Sequence, residues 1–233
     1  MTIFVRTEIA RPDEGLVSAF KGLPASIVSD VMNRMNAMHA SIKPVQKNVH
    51  MVGTAITIKA MVGDNLATHQ GIYYARKGDV LVIDARGGLE ASVWGFLQTR
   101  AATLKGIAGI VIDGAIRDVA EIRDSTLPIF CKGVTAAGPH KGWGGSINER
   151  IQCGGVPVNP GDIVLGDDDG VVVVPRESAA SVLENAKKCL KEEAEWFKRV
   201  EAGERTVDIL GLERDIKRDV VKLADEQGVE DSS

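Results

Sequence analysis

Apolar and polar positions follow two rhythms along this chain, and the changes of rhythm mark out its elements. Over residues 24–35, Ile27, Val28 and Val31 fall on one helical face among small and polar neighbours, which predicts a short amphipathic helix after a Gly-Leu-Pro break. Residues 51–60 are rich in β-branched side chains and alternate in their second half, as a strand does. Residues 65–77 read as a helix closed by Gly78. Two apolar runs closed by an acid follow, 79–84 and 109–113, with residues 91–104 between them helical in character. Strand, helix and strand in that order predict a crossover unit in a parallel sheet, whose functional groups gather at carboxyl ends of strands and amino ends of helices.

The Gly and Pro density of residues 133–160 predicts turns and short strands. Residues 162–166 and 171–175 flank the turn Asp167-Asp168-Asp169-Gly170 as a hairpin. A long helix is expected from about residue 177 to 202, with Leu183, Ala186, Leu190, Ala194 and Phe197 on one face. The fold class is therefore α/β, one domain of layered sheets and helices over residues 1–224, with residues 225–233 too polar to pack.

Charge narrows the classes of partner. A net charge of −4 with scattered Lys and Arg lacks the positive field that captures phosphate backbones, so nucleic acid is not expected as a ligand. Three cysteines, Cys131, Cys153 and Cys189, form neither a disulfide framework nor a CxxC clip and read as reduced thiols of a cytoplasmic protein. No stretch has the pattern of an export signal or the length of a membrane span.

The chemistry concentrates after the second apolar run. The pattern predicts a strand ending at Asp113, a tight turn at Gly114-Ala115, and Arg117-Asp118 at the start of the next helix. Unpaired amides at that point suit an anion, Arg117 offers a fork for a carboxylate, and Asp118 with Glu121 on one helical face could hold a hard cation. The same residues also serve as a helix cap and a surface ion pair, and spacing does not choose between the two readings.

Several segments together resemble the RraA-like family, which includes 4-hydroxy-4-methyl-2-oxoglutarate aldolases and the regulator of ribonuclease activity A. They are residues 62–65 with His69, 78–84, Trp94-Gly95, 106–118 and 160–176. The resemblance implies a swivelling β/β/α fold assembled as homotrimers or dimers of trimers. It implies a lyase that cleaves a small 2-oxo acid through a pyruvate enolate, as an aldolase or an oxaloacetate decarboxylase. In the family's aldolases the aspartate of the Arg-Asp pair anchors Mg²⁺ or Mn²⁺, mostly through water, and the arginine contacts substrate; those roles fall on Asp118 and Arg117. The loop that cups the pyruvate end falls on Gly95, Phe96, Leu97 and Gln98, and an acid from a neighbouring subunit on Glu193. The characterised aldolases carry an acid where this chain has Phe96. A second family pattern lacks it and has an acid three positions after the aspartate, matching Glu121.

Asn65 or His69 is placed at the rim of this pocket, or Asp64 or Asn65 simply caps the helix that opens there. Lys59 and Lys132 are the lysines open to a Schiff-base role. Residues 142–146 lack the frame of a phosphate loop and read as a mobile or subunit-contact loop. The alternative function is a non-catalytic RraA-like protein that docks on and inhibits a ribonuclease or another protein.

Overall fold

The computed structural model describes residues 2–212, so the polar tail expected from residue 225 lies outside the described residues. These fall into two compact units, one ending at Ala186 and the other beginning at Lys187. In chain order, β1 (Ile3–Val5), α1 (Glu14–Ser18), α2 (Ala25–Val31) and β2 (Lys43–Pro44) lead to the long β3 (His50–Ala60). An alternating series follows: α3 (Leu66–Tyr74), β4 (Asp79–Trp94), α4 (Phe96–Lys105), β5 (Gly109–Ile116), α5 (Val119–Arg123) and β6 (Ile129–Val134). Then come β7 (Gly145–Ile147), β8 (Ile151–Cys153), β9 (Val156–Val158), β10 (Ile163–Asp167) and β11 (Gly170–Val174). The helix α6 (Ala179–Glu201) runs from the first unit into the second, where α7 (Thr206–Ile209) follows.

The expected parallel sheet is present: β3, β4, β5 and β6 lie side by side in parallel register. β10 and β11 form the expected hairpin, which adds to β3 antiparallel. Both faces of the central strands are covered, and this explains why they are continuous apolar runs in sequence. Ile58, Ile83, Ile112 and Cys131 pack on one face with residues of α3 and α4, including Ile72 and Ala102. Their neighbours Val82, Val111 and Phe130 pack on the other with Val156, Val158, Val164 and Val173. The period of two thus sends successive residues of each strand into different cores.

Three expected boundaries shift. Residues 91–94 belong to β4 and not to a helix, because Ser92 and Trp94 pair with Ala115 and Ile116 across a bulged register. Gly114-Ala115 is strand and not turn, since β4 and β6 both continue alongside it. Gly114 is needed there, as a Cβ would meet that of Ala85 at 2.8 Å. The helix expected over 24–35 spans only Ala25–Val31, ending where Asn33 and Arg34 take positive φ. Residues 142–146 are no free loop: Gly142 and Trp143 donate their amides to Asp64, and Gly145 opens β7.

Ile83 is fully buried at the centre of the sheet. Ile83→Ala should lower the unfolding free energy by about 2–5 kcal/mol, read as a reduced urea midpoint at unchanged slope.

Candidate active site

β4 and β5 end next to each other, and the two turns that leave them build the site. The amide of Arg117 donates to the carbonyl of Trp94 at 3.0 Å, which holds the end of β5 against the end of β4. Asp118 then takes a left-handed conformation, φ 59° and ψ 41°, and stands as the N-cap position of α5 without capping it through its side chain. Its carboxylate turns towards α4, where Oδ2 accepts the amide of Phe96 at 3.0 Å. Gly95 permits this approach: a Cβ there would lie 2.6 Å from Asp118 Oδ2 and 3.4 Å from Arg117 Cγ. The Arg117 guanidinium stays 3.8 Å from the same oxygen, so the pair is loose and both groups remain partly exposed.

A small cavity of about 70 Å³ opens here, with Arg117, Asp118, Gly95, Leu97 and Gln98 on one part of its wall and Asn65, His69, Pro139 and Lys141 on another. The start of α4 faces it. The Phe96 amide is taken by Asp118, and the amides of Leu97 and Gln98 have no acceptor among the described residues. These two N–H groups and the positive end of a ten-residue helix favour negative charge.

Behind the cavity is a buried polar chain. Gln98 Nε2 donates to Thr68 Oγ1 at 2.6 Å, and Asn65 Nδ2 donates to Gln98 Oε1 at 3.4 Å while lying 3.3 Å from His69 Nε2. Asn65 is 6% exposed, and its Oδ1 has no partner among the described residues. Leaving a buried acceptor unmade is costly, so it is a ready partner for a hydroxyl or water proton. Burial, and secondarily the charge of Lys141, pushes the His69 imidazole below its ordinary pKa and so disfavours its protonated form. Trp94 Nε1 donates to Thr99 Oγ1, and the ring fills the core behind the cavity.

The structure therefore brings Arg117, Asp118, Gly95, Leu97, Gln98, Asn65 and His69 to one pocket. Glu121 and the side chain of Phe96 are not among them. Because Asp118 sits outside the helix in a left-handed turn, the three-residue spacing does not set both acids on one face, and Glu121 lines a separate groove with Phe96, Arg100 and Leu104. Asp64, and not Asn65, caps α3, accepting the Leu66 amide at 2.9 Å. Glu193 lies in the second unit beside Trp196, Phe197 and Ile209. Lys132 pairs with Asp113 at 3.5 Å. Sequence reasoning missed Pro139 and Lys141; the Gly-Pro-rich stretch signalled a turn but not which side chains it would carry to the pocket.

The chemistry of the donors can be set against a divalent cation. Among the described residues no group of three or more His, Cys, Asp or Glu is arranged to hold a metal. Asp118 Oδ1 accepts no hydrogen bond from the described residues, and its side chain is 39% exposed. One open carboxylate oxygen fits a hard ion that keeps most of its water, as Mg²⁺ does, and does not fit a dehydrated protein cage.

The RraA-like family (Aldolase/RraA) matches residues 25–173, and the chain belongs to it. A relative from Halalkalibacterium halodurans, named "Putative 4-hydroxy-4-methyl-2-oxoglutarate aldolase", is 42% identical over 172 residues, covering 74% of this chain and 82% of the relative. An uncharacterized protein of Methanocaldococcus jannaschii is 38% identical over 177 residues, covering 74% and 84%. A Streptomyces coelicolor crystal structure, described as an unusual member of the RNase ES inhibitor RraA protein family, superposes with a TM-score of 0.72 at 28% identity, covering 82% of this chain and 100% of that one. No helix among the described residues is long and apolar enough to cross a membrane.

Gly95→Ala should push the Asp118 carboxylate aside and free the Phe96 amide, seen as faster hydrogen exchange at Phe96 and a stability loss of about 1–3 kcal/mol. His69 should titrate below 6.5 by NMR, and Lys141→Gln should move its midpoint upward. With the folded pKa depressed, the unfolded chain binds more protons below pH 6.5, so this residue's contribution to stability should fall as pH drops through that window.

Proposed function

We propose that this protein is a divalent-metal-dependent lyase that breaks a carbon–carbon bond in a small 2-oxo acid and releases pyruvate. The observation that carries this reading is the meeting, in one small cavity, of an open carboxylate oxygen on Asp118, the Arg117 guanidinium and the unpaired amides of Leu97 and Gln98. A 2-oxo acid has an anionic carboxylate beside a polarisable carbonyl, and these groups match it. The name of the Halalkalibacterium halodurans relative supports the same chemistry.

Asp118 would hold Mg²⁺ or Mn²⁺, mostly through water. The ion, when bound, supplies Lewis-acid polarisation of the 2-oxo group. Arg117 forks onto the substrate carboxylate and fixes its orientation. The amides of Leu97 and Gln98 are preorganised donors for the negative charge that grows on the 2-oxo oxygen as the bond breaks. Asn65 Oδ1 accepts a proton-bearing group of the substrate or a water that follows it.

Phe96 shapes which reaction is the more direct. Aldol cleavage needs a base for the substrate hydroxyl, and this chain carries Phe96 at the sequence position where the resemblance to the family's aldolases implies an acid. Decarboxylation of oxaloacetate removes no proton before the bond breaks, so it is the better first substrate. A homotrimer or dimer of trimers in which Glu193 of a neighbouring copy completes the site belongs to this proposal, and the mass of the protein in solution tests it.

Purified protein with oxaloacetate and Mg²⁺ should form pyruvate well above the rate without protein. Chelation should abolish that gain, and Asp118→Ala should reduce it by about a hundredfold, the scale of losing an electrostatic stabiliser of developing charge. Absence of pyruvate under every condition would favour the non-catalytic partner-binding function instead.

A further inference from the structure

We infer that the cavity between the N-terminal segment and the turn after β7 binds a free α-amino acid as its zwitterion. This cavity, of about 310 Å³, shares no residue with the Arg117–Asp118 pocket. Its walls come from Arg6, Glu8 and Ile9 in the segment after β1, from Asn148 and Arg150 after β7, and from Pro160 after β9. The segment after β1 is fixed at both ends. Arg6 donates its amide to the carbonyl of Ile147 at 3.1 Å, and its own carbonyl accepts Nδ2 of Asn148 at 2.9 Å. Further along, Arg176 donates to the carbonyl of Ala10 at 3.0 Å, and the Arg11 guanidinium grips both oxygens of the buried Asp79 carboxylate at 2.5 and 2.9 Å.

Asn148 is 3% exposed, with its Nδ2 spent on Arg6 and its backbone amide on the carbonyl of Thr57 at 2.8 Å. Its Oδ1 has no partner among the described residues. Native structures seldom carry a buried acceptor that neither a ligand nor a water satisfies, and a guest bearing an N–H group would satisfy this one. Two opposite charges stand unused on the same walls. Glu8 and Arg150 are both exposed, and neither side chain makes an ion pair or hydrogen bond among the described residues, whereas Glu149 is paired with Arg6 at 3.1 Å. Glu8 and Arg150 line one cavity without pairing with each other, so a guest of two signs can engage both.

The groups on the walls select the guest. A carboxylate suits the Arg150 guanidinium, which offers a planar fork of donors. An ammonium suits the Glu8 carboxylate and the Asn148 Oδ1, which only accept. A simple anion such as phosphate would meet repulsion from Glu8, and a simple cation would meet it from Arg150. A compact molecule that carries both charges avoids both penalties, and an α-amino acid has its ammonium and carboxylate on one carbon. Ile9 and Pro160 supply apolar contact, which fits an aliphatic side chain on that carbon.

The probe is L-leucine, titrated into the full chain at mildly acidic pH and followed by two-dimensional ¹H–¹⁵N NMR. Two blocked forms serve as comparisons: N-acetyl-L-leucine keeps only the negative charge, and L-leucinamide keeps only the positive one. L-Leucine at millimolar concentration should shift the resonances of Glu8, Ile9, Asn148 and Arg150. Each blocked form should bind about tenfold more weakly, the scale of one lost charge-assisted contact. Glu8→Gln should erase the preference over N-acetyl-L-leucine, and Arg150→Gln the preference over L-leucinamide; both positions are exposed, so the melting temperature should not move. Absence of shifts with L-leucine, shifts confined to other residues, equal binding of the three compounds, or preferences that survive both substitutions would each overturn the assignment. The comparison of the three compounds on wild-type protein decides the matter even where a variant unfolds.

Discussion

The bond from the Phe96 amide to the Asp118 carboxylate holds together everything else in the site. It joins the first turn of α4 to the segment that leaves β5, so two neighbouring strands end in one shared structure. Without it the helix start would present three free amides in place of two, and the carboxylate would have no fixed direction. A sheet buried on both faces leaves the turns at the carboxyl ends of β4 and β5 as the place where such groups gather. The approach is so close that a single methyl group at residue 95 would collide with the oxygen that accepts the bond.

Much of this could be read from the residues, and the failures have physical causes. The central strands were legible because a doubly covered parallel strand is an unbroken apolar run, and the acids at Asp84 and Asp113 marked where burial weakens. The ends of β4 and β5 were not. Residues 91–94 and 114–116 are small or apolar and suit a helix, a turn or a strand equally; the pairing of Ser92 and Trp94 with Ala115 and Ile116 decided for strand, and pairing between distant segments is invisible to local patterns. Arg117 and Asp118 were singled out from their position after a buried run, and they line one pocket. Glu121 lines a different groove from Asp118, which precedes the helix in a left-handed turn and so does not share a helical face set by the three-residue interval.

Family membership and site geometry bear on function at different depths. Membership rests on residues 25–173, a stretch that contains the Arg117-Asp118 pair and the start of α4. At the edges lie Phe96, whose amide holds the Asp118 carboxylate, and the wall that carries Pro139 and Lys141. They belong to separate segments of backbone, so either could change without disturbing the other.

The left-handed turn at Asp118 has a consequence for which residues the position can accept. A side chain with a Cβ pays about 1–2 kcal/mol there, and glycine, asparagine and aspartate are the types that visit this region most readily. Glycine brings no side chain and asparagine no charge. Backbone shape favours these three types without requiring them, as Arg34 and Arg86 show, and of the three only aspartate carries a carboxylate, so conformation and charge here favour the same amino acid for unrelated reasons.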